Sequence, residues 1–425
     1  MEGKKIRATV VGFGNRGQTY ADYALQEPEE FEVAAIVDPN DFKLQEAKKR
    51  YHLSDECLFH NFEEFVNAHI SCDFVINATM DQYHYQLALQ ILSGGYNMLI
   101  EKPIVPDKEK LMDIAKLAEE KGAKVFVCHV LRYTPFYQSI KKILNEGTIG
   151  NIMTMEMNEH VKLSHYLGSY VRGKWNSEKN CGSGFIMAKC CHDFDLMCWL
   201  NNSTVPQEVA SFGNRSQFVP ENTPREGAEF CYQCKYEKEC PYSAIDLYMN
   251  KNSMPFLVWD KLNKPLDEIT DKEKMEHLKH DIYGKCAYLC GGDITDRQNS
   301  IVMFKNGSLA TFNVIGGSQM PSRSIHIVGT MGEISGNLED DAFAVRTYSR
   351  ETKFGKVKRV EVHPFNKLGD DAHSGGDYAI MHDLVRYMNG DRSSISITSL
   401  EDSVNGHLCV YAAEESRKTH QIIKL

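Results

Sequence analysis

The stretch that decides the fold is IRATVVGFGNRG, residues 6–17. Its first half is β-branched and apolar, which predicts a strand buried on both faces. Glycines at 12, 14 and 17 follow with the G-x-G-x-x-G spacing of a dinucleotide-binding turn. In such a turn Gly12 allows the tight bend, Gly14 lets a pyrophosphate approach the backbone, and Gly17 lets helix and strand pack closely. The motif therefore predicts a βα unit that binds a dinucleotide at the start of its helix.

A second strand, residues 31–37, ends at Asp38, about 20 residues beyond the glycines. A carboxylate there accepts hydrogen bonds from the ribose 2′-hydroxyl and repels a 2′-phosphate, so the predicted cofactor is NAD rather than NADP. Further strands alternate with helical segments as far as residue 129. This alternation predicts an α/β fold with a Rossmann doubly wound parallel sheet.

The composition of the chain argues against nucleic acids and membranes as binding partners. The 425-residue chain has 58 acidic and 48 basic residues without a basic run, which argues against nucleic-acid binding. No apolar stretch approaches the roughly 18 residues that span a bilayer, so no membrane association is expected. The thirteen cysteines are an odd, scattered set, and no signal peptide is recognised, which together favour the reducing cytoplasm.

Two short motifs carry candidate chemistry. Glu101-Lys102-Pro103 ends a strand at the edge of the sheet where such folds bind ligands, although a surface lysine there is the simpler alternative. KCCHDFD, residues 189–195, combines residue types that serve both as metal ligands and as acid/base groups. On residue type alone His192 is a proton acceptor, a metal ligand or a buried structural histidine.

These motifs together resemble the Gfo/Idh/MocA family of NAD(P)-dependent oxidoreductases. The resemblance extends over nearly the whole chain and includes a helix that begins H-x-x-D at His192. It implies an NAD-binding domain at residues 1–128 and a substrate-binding and oligomerisation domain at residues 129–425. The second domain is expected to be α+β, with a large, open, mainly antiparallel sheet through which a homodimer or homotetramer forms.

The family resemblance also implies the reaction. Its members move a hydride between nicotinamide and a ring hydroxyl carbon of a sugar, glycoside, cyclitol or related polyol, which makes a small sugar or polyol the expected substrate. Some members instead keep NAD bound and cleave glycosidic bonds with no net redox change, and this is the alternative function. A catalytically silent nucleotide-binding sensor is a third hypothesis, since fold alone does not prove activity.

The same resemblance assigns residues to roles. It makes His192 the acid/base group, Lys102 its assistant, and Lys189 an anchor or polarising group for substrate. The implied cofactor-binding residues are Gly12, Gly14, Asn15, Arg16, Gly17, Asp38, Thr79, His84, Glu101 and Lys102. The candidate substrate contacts are Arg132, Tyr133, His165, Arg172, Trp175, Asp195 and His373. The aromatic rings and guanidinium groups among them suit a carbohydrate, and Asp195 lies one helical turn after His192.

A separate cysteine cluster lies in a loop-like stretch, residues 231–290. Cys231, Cys234 and Cys240 have C-x2-C-x5-C spacing, and Cys286 follows as a distant fourth thiol, with Cys290 as its alternative. The pattern predicts a structural zinc site that clips this loop. An iron–sulfur cluster and plain reduced cysteines are the alternatives.

Overall fold

The computed structural model describes residues 3–340, 342–350, 355–363 and 373–425. Its first sheet has six parallel strands in the order β3-β2-β1-β4-β5-β6. They are β1 Ile6–Val11, β2 Phe31–Val37, β3 Leu58–Phe59, β4 Phe74–Asn77, β5 Asn97–Ile100 and β6 Val125–Val127. The order changes direction between β1 and β4, and this switch point is where doubly wound sheets bind ligands.

Helices connect these strands. They are α1 Asn15–Ala21, α2 Tyr23–Gln26, α3 Asp41–Tyr51, α4 Phe62–Asn67, α5 His84–Ser93 and α6 Lys108–Lys121. The α6 boundaries agree with the local sequence: the Asp107 side chain accepts from the Lys110 N–H, and Gly122 ends the helix in the left-handed region. Separate apolar clusters cover the two faces of the sheet, and the predicted Rossmann fold is confirmed.

The second sheet has nine strands in the order β14-β13-β12-β11-β7-β10-β9-β8-β15. They are β7 Ile152–Lys162, β8 Pro206–Asn214, β9 Arg297–Phe304, β10 Leu309–Ser318, β11 Ser322–Gly329, β12 Gly332–Asn337, β13 Ala342–Thr347, β14 Lys356–Glu361 and β15 Ile423–Lys424. Within this second sheet only β7 and β10 pair in parallel among the described strands, so the prediction of a large, mainly antiparallel sheet is confirmed.

The remaining helices are α7 Pro135–Asn145, α8 Leu163–Tyr166, α9 Glu178–Cys181, α10 Phe185–Leu200, α11 Pro255–Val258, α12 Asp271–His280, α13 Gly376–Met388 and α14 Leu400–Thr419. Two π-helical turns cover Leu167–Val171 and Ile245–Asn250. Side chains of α10 and α14 lie in the core beside the second sheet. Helix α13 instead packs in the apolar cluster of the first sheet, so the chain returns to the nucleotide-binding part near its end.

The helix that carries His192 begins earlier than predicted. The sequence reading starts it at His192, whereas α10 begins at Phe185 and places His192 about two turns inside. The reason is burial, because every α10 side chain except that of Lys189 is buried. A helix that is buried on all sides has no amphipathic pattern to mark its first turn.

None of the helices in the described part of the chain is long and apolar enough to cross a membrane.

Candidate active site

The glycine turn after β1 has the shape that a dinucleotide requires. Gly12 has φ +89°, and a Cβ there would lie 2.7 Å from the Ala78 carbonyl oxygen. A Cβ at Gly17 would lie 2.0 Å from the Gly12 carbonyl oxygen, so a side chain at either position is excluded. A Cβ at Gly14 would meet no described atom within 4 Å. The open side of the turn is therefore free for the close approach of a pyrophosphate.

Asp38 is held beside this turn. One carboxylate oxygen accepts from the Phe13 backbone N–H at 2.8 Å and the other accepts from the Asn40 N–H at 2.9 Å. Asn40 in turn caps α3, its side chain accepting from the Phe42 N–H. The carboxylate is thus fixed at the carboxyl end of β2, where the ribose of a dinucleotide lies in this fold.

A buried ion network joins the glycine turn to the end of β5 and to α13. Arg16 donates to Glu101 at 2.7 Å and to Asp377 at 2.6 Å, and His373 lies 2.9 Å from Asp377. Tyr20 also donates to Glu101, at 2.5 Å. Burial raises the pKa of Glu101, but Arg16 and Lys102 outweigh burial and hold it below its usual value. Glu101 is therefore a carboxylate that fixes Arg16 in the turn.

His84 ties together the loops that follow β4 and β5. Its ring nitrogens lie 2.8 Å from the Pro103 carbonyl oxygen and 3.0 Å from the Thr79 carbonyl oxygen. The Thr79 hydroxyl donates to Asn77 at 2.8 Å. The predicted cofactor residues after β4 and β5 thus form one connected edge, with His84 fully buried beneath it. Asn15, by contrast, is exposed at the start of α1.

His192 lies in the middle of a group of basic side chains. It is 5 % exposed, and its ring centre is 5.7 Å from that of His129 and 6.2 Å from that of His373. Its Nδ1 is buried without a hydrogen-bond partner in the described part of the chain. Burial, and then the charge of Lys102, hold the pKa of His192 well below its usual value. The ring is therefore neutral near pH 7 and able to accept a proton.

Lys102 lies beside His192. Its Nζ donates to the Ala188 carbonyl oxygen at 2.9 Å, one helical turn before His192 on α10. The contact links the end of β5 to α10, the helix that carries His192. The EKP motif and the His192 helix, 90 positions apart in sequence, therefore meet in the folded chain.

Lys189 is partly exposed and pairs with a buried group of three charged side chains. Its Nζ lies 3.3 Å from Glu159, and Arg323 reaches Glu159 at 2.8 Å and Asp193 at 2.9 Å. Burial raises the pKa of Glu159, but Arg323 and Lys189 hold it below its usual value. Sequence reasoning missed Glu159 and Arg323, which come from β7 and β11. The one feature of the sequence that could have indicated Glu159 and Arg323 is that each is a charged residue at a strand position where the side chain points into the core.

Arg132 and Asp195 are engaged with each other. Two guanidinium nitrogens donate to the two carboxylate oxygens at 2.7 and 2.6 Å, and both side chains are 1 % exposed. The Tyr133 hydroxyl is buried against Thr398 at 3.1 Å. These predicted substrate contacts therefore join the end of the first sheet to α10 and to the start of α14, rather than facing open space.

Residues 165–183 place an aromatic wall beside the loop that follows β4. His165 stacks on Tyr170, with ring centres 6.3 Å apart. The Trp175 indole N–H lies 3.3 Å from the Asp81 carboxylate, to which the Ser183 hydroxyl donates at 2.6 Å. Asp81, also missed by sequence reasoning, has no ion-pair partner among the residues that the structure describes.

Arg172 lies apart from this pocket and holds the long loop in place. It is fully buried and donates to the carbonyl oxygens of Lys285 at 2.8 Å and Tyr242 at 2.7 Å. It also approaches the Cys231 sulfur at 3.8 Å. This predicted substrate contact is therefore surrounded by the residue 231–290 loop.

The predicted zinc site is not supported. Cys231, Cys234, Cys240 and Cys286 do line one small cavity, and all thirteen cysteines are free. Yet within the described ranges no three His, Cys, Asp or Glu side chains are arranged so that they could hold a metal ion. Hydrogen bonds and packing fix the loop instead: the Cys286 N–H donates to the Glu229 carbonyl oxygen, and Phe230 bridges to Lys285.

Comparison with known proteins identifies the family. A family model described as "Oxidoreductase family, NAD-binding Rossmann fold" matches residues 6–129, and one described as "Oxidoreductase family, C-terminal alpha/beta domain" matches residues 141–425. The putative oxidoreductase YteT of Bacillus subtilis is 24% identical over 322 residues, which cover 73% of this chain and 72% of that protein.

Other relatives match over shorter stretches. Inositol 2-dehydrogenase of Corynebacterium glutamicum is 26% identical over 204 residues, 48% of this chain and 56% of that enzyme. The crystal structure of levoglucosan dehydrogenase in complex with NADH and levoglucosan shares the fold, with TM-score 0.71, 17% identity and 99% of each chain covered. The chain thus belongs to the Gfo/Idh/MocA oxidoreductase family and has its NAD-binding Rossmann fold.

Proposed function

We propose that this protein is an NAD-dependent dehydrogenase that acts on a ring hydroxyl of a sugar, glycoside or cyclitol. The observation that carries the proposal is the buried His192 on α10 beside Lys102, which follows β5 at the carboxyl edge of a dinucleotide-binding sheet. When bound, NAD supplies the hydride acceptor for the carbon that bears the hydroxyl. The division of labour follows the two domains, with residues 1–128 binding the nucleotide and residues 129–425 binding substrate.

His192 takes the hydroxyl proton. A neutral imidazole accepts a proton at physiological pH, and its low pKa comes from burial and from the nearby positive charge of Lys102. Once protonated, His192 would stand next to Lys102, so the proton is held only briefly and passes readily to solvent or product. The same pair serves the reverse reaction, with His192 as the acid.

Lys102 and Lys189 orient the substrate. Lys102 is fixed through Ala188, so its remaining N–H groups can donate to the hydroxyl that loses its proton. Lys189 is held by Glu159 and is partly exposed, which suits an anchor for a second hydroxyl. Arg132 and Asp195 are positioning residues, since their mutual pair sets the position of α10. The aromatic wall of His165 and Trp175 faces the sugar ring.

The cofactor is held by the edge that runs from Asp38 to Glu101. Asp38 accepts from the ribose hydroxyls, the glycine turn cradles the pyrophosphate, and Thr79 and Lys102 lie at the nicotinamide end. Arg16 is already bonded to Glu101 and Asp377, so it shapes the turn. A 2′-phosphate would face the Asp38 carboxylate, which favours NAD.

The test is a panel of sugars, glycosides and inositols incubated with NAD, read by NADH absorbance and by product analysis. The expected result is NADH formation with at least one polyol and a keto product in equal amount. Substrate conversion without net NADH would support the redox-neutral glycoside-cleaving alternative. Absence of any conversion, together with absence of NAD binding in a direct titration, would contradict the proposal.

A further inference from the structure

The proton that His192 accepts needs a way out of a buried site. His192 is 5 % exposed, and each hydroxyl that is oxidised gives up one proton while its hydride goes to nicotinamide. His192 must lose that proton before it can accept another, so the turnover of this buried base depends on its neighbours. The imidazole rings of His129 and His373 lie next to it, and they lead in opposite directions.

The His129 side leads into the core. His129 is fully buried, and its ring centre is 5.5 Å from that of His407, which is fully buried as well. The backbone engages both ring nitrogens of His407, since Nε2 accepts from the Ile104 N–H at 3.1 Å and Nδ1 lies 3.3 Å from the Ser403 carbonyl oxygen. Burial is the main cause that holds the pKa of both rings below the usual value. A proton is therefore disfavoured in this direction.

The His373 side leads to solvent. The His373 side chain is 27 % exposed, and its ring centre is 6.2 Å from that of His192. At this separation the two rings are too far apart for a direct hydrogen bond, but one water molecule or one substrate hydroxyl between them can pass a proton. His373 is therefore the imidazole that connects the buried base with the outside of the protein.

A carboxylate holds the ring of His373. Its Nδ1 lies 2.9 Å from Asp377, to which Arg16 of the glycine turn donates at 2.6 Å. Burial raises the pKa of Asp377, but Arg16 and His373 outweigh burial and hold it well below its usual value. An ionised carboxylate beside an imidazole orients the ring and balances the charge of an imidazolium. His373 can therefore hold a proton in transit at a fixed position.

Lys102 and His165, which also face this route, are poor acceptors of the proton. Lys102 already carries a positive charge, and burial and this charge together disfavour a proton on His192. Burial, followed by the charges of Lys189 and Lys102, holds the pKa of His165 well below its usual value. A proton on His192 is therefore favoured to move toward His373 and its carboxylate.

From these contacts we propose that His373 carries the proton between His192 and solvent, with Asp377 as the positioning residue that holds its ring. The inference rests on the proposed function, since it concerns the proton of that reaction. In the oxidation the C–H bond breaks and its electron pair leaves as hydride to nicotinamide, while the O–H proton goes to His192. The imidazolium of His192 gives this proton through one water to His373, which releases it to solvent or buffer. Each turnover yields one ketone, one NADH and one proton, and both rings regain their starting state.

The experiment follows NADH formation by stopped flow in the full-length wild type and in His373→Gln, on the polyol of the panel that the wild type oxidises. Glutamine keeps a hydrogen-bond donor for Asp377 but does not exchange a proton. We expect the variant to form its first NADH per chain at the wild-type rate and then to turn over about tenfold more slowly, because His192 stays protonated. Imidazole in the buffer should restore the steady-state rate as its concentration rises, since it replaces the missing proton carrier.

The matched control is His382→Gln. His382 is a partly exposed histidine of α13 that lies 3.1 Å from the Tyr23 hydroxyl, and this variant should keep the wild-type rate with and without imidazole. Full steady-state turnover of His373→Gln in dilute buffer would overturn the relay. A raised KM alone, or a loss of turnover that imidazole does not restore, would also overturn it and would make His373 a substrate contact or a structural residue. These results leave the proposed function intact, whereas a wild type that forms no NADH with any member of the panel would overturn both.

Discussion

The nucleotide turn and the pocket around His192 are built in different ways. The turn is a run of consecutive residues, 12–17, whose shape follows from the absence of Cβ atoms at Gly12 and Gly17. The pocket instead collects side chains from β5, β7, α10, β11 and the residues before α13, and buried ion pairs hold them. Changes in the turn should therefore act on cofactor choice, whereas changes in the pocket should act on stability and proton transfer.

The largest effect is expected at the Arg132–Asp195 pair. Arg132→Ala leaves the Asp195 carboxylate buried without its partner, which should lower the free energy of unfolding by about 3–5 kcal/mol. Chemical denaturation, followed through the unfolding of the second domain, measures this loss. Arg386→Ala, which breaks the largely exposed pair with Asp391, is the matched control and should cost at most about 1 kcal/mol. Equal losses in both variants would mean that the buried pair does not hold α10.

The next effect concerns Lys102. Lys102→Met should lower kcat/KM by about 10²-fold or more, since a fixed cation next to the reacting oxygen is lost. It should also move the acidic limb of the pH–rate profile to higher pH, because the Lys102 charge helps to lower the pKa of His192. Steady-state kinetics between pH 5 and pH 9 check both effects.

Lys108→Met, an exposed lysine at the start of α6, is the control for Lys102→Met and should leave both quantities unchanged. If the acidic limb does not shift in Lys102→Met, the charge of Lys102 does not lower the pKa of His192. Charges from distant parts of the chain would then not set the proton chemistry of the pocket.

The third effect is the dependence of stability on pH. Burial, followed by neighbouring positive charge, holds the pKa of His129, His165 and His192 well below the usual value, and lowers that of His407 to about 3. Below about pH 6.5 these histidines bind protons in the unfolded chain but not in the folded protein. The free energy of unfolding therefore falls as the pH falls. Each ring contributes up to about 1.4 kcal/mol per pH unit.

Denaturation at pH 7.5, 6.5 and 5.5 measures this slope. His407→Gln should reduce the change in free energy of unfolding per pH unit by the contribution of one histidine. His280→Gln, at an exposed position on α12, should not change it. A free energy of unfolding that stays constant across this range would show that the buried rings accept protons in the folded protein.

The smallest effect belongs to the turn. Asp38→Ser should reduce the preference for NAD over NADP by about tenfold, because the carboxylate no longer repels a 2′-phosphate. Titration of the variant and the wild type with both cofactors gives the ratio. Asp41→Ser, an exposed acid at the start of α3, is the control and should leave the ratio nearly unchanged. Equal affinity of the unmodified protein for NAD and NADP would remove Asp38 from the ribose site.

The sequence predicts the parts of the fold that are built from neighbouring residues better than the parts that are built from distant ones. The Rossmann sheet, the Asp107 cap and the glycine turn were predictable because each depends on residues close in sequence. The start of α10 was not, since a helix buried on all sides has no periodic signal at its end. Glu159, Arg323 and Asp81 were missed because their roles arise from contacts between residues at least 30 positions apart. The zinc prediction relied on spacing, and spacing does not determine how side chains converge.

The role of His192 itself can be measured directly. NADH formation on an active polyol is compared between the wild type and His192→Asn, with NAD affinity measured by titration in both. We expect unchanged NAD binding and a turnover lower by about 10²–10⁴-fold, the usual contribution of a general base. Full turnover in His192→Asn with normal NAD binding would show that His192 is not the proton acceptor.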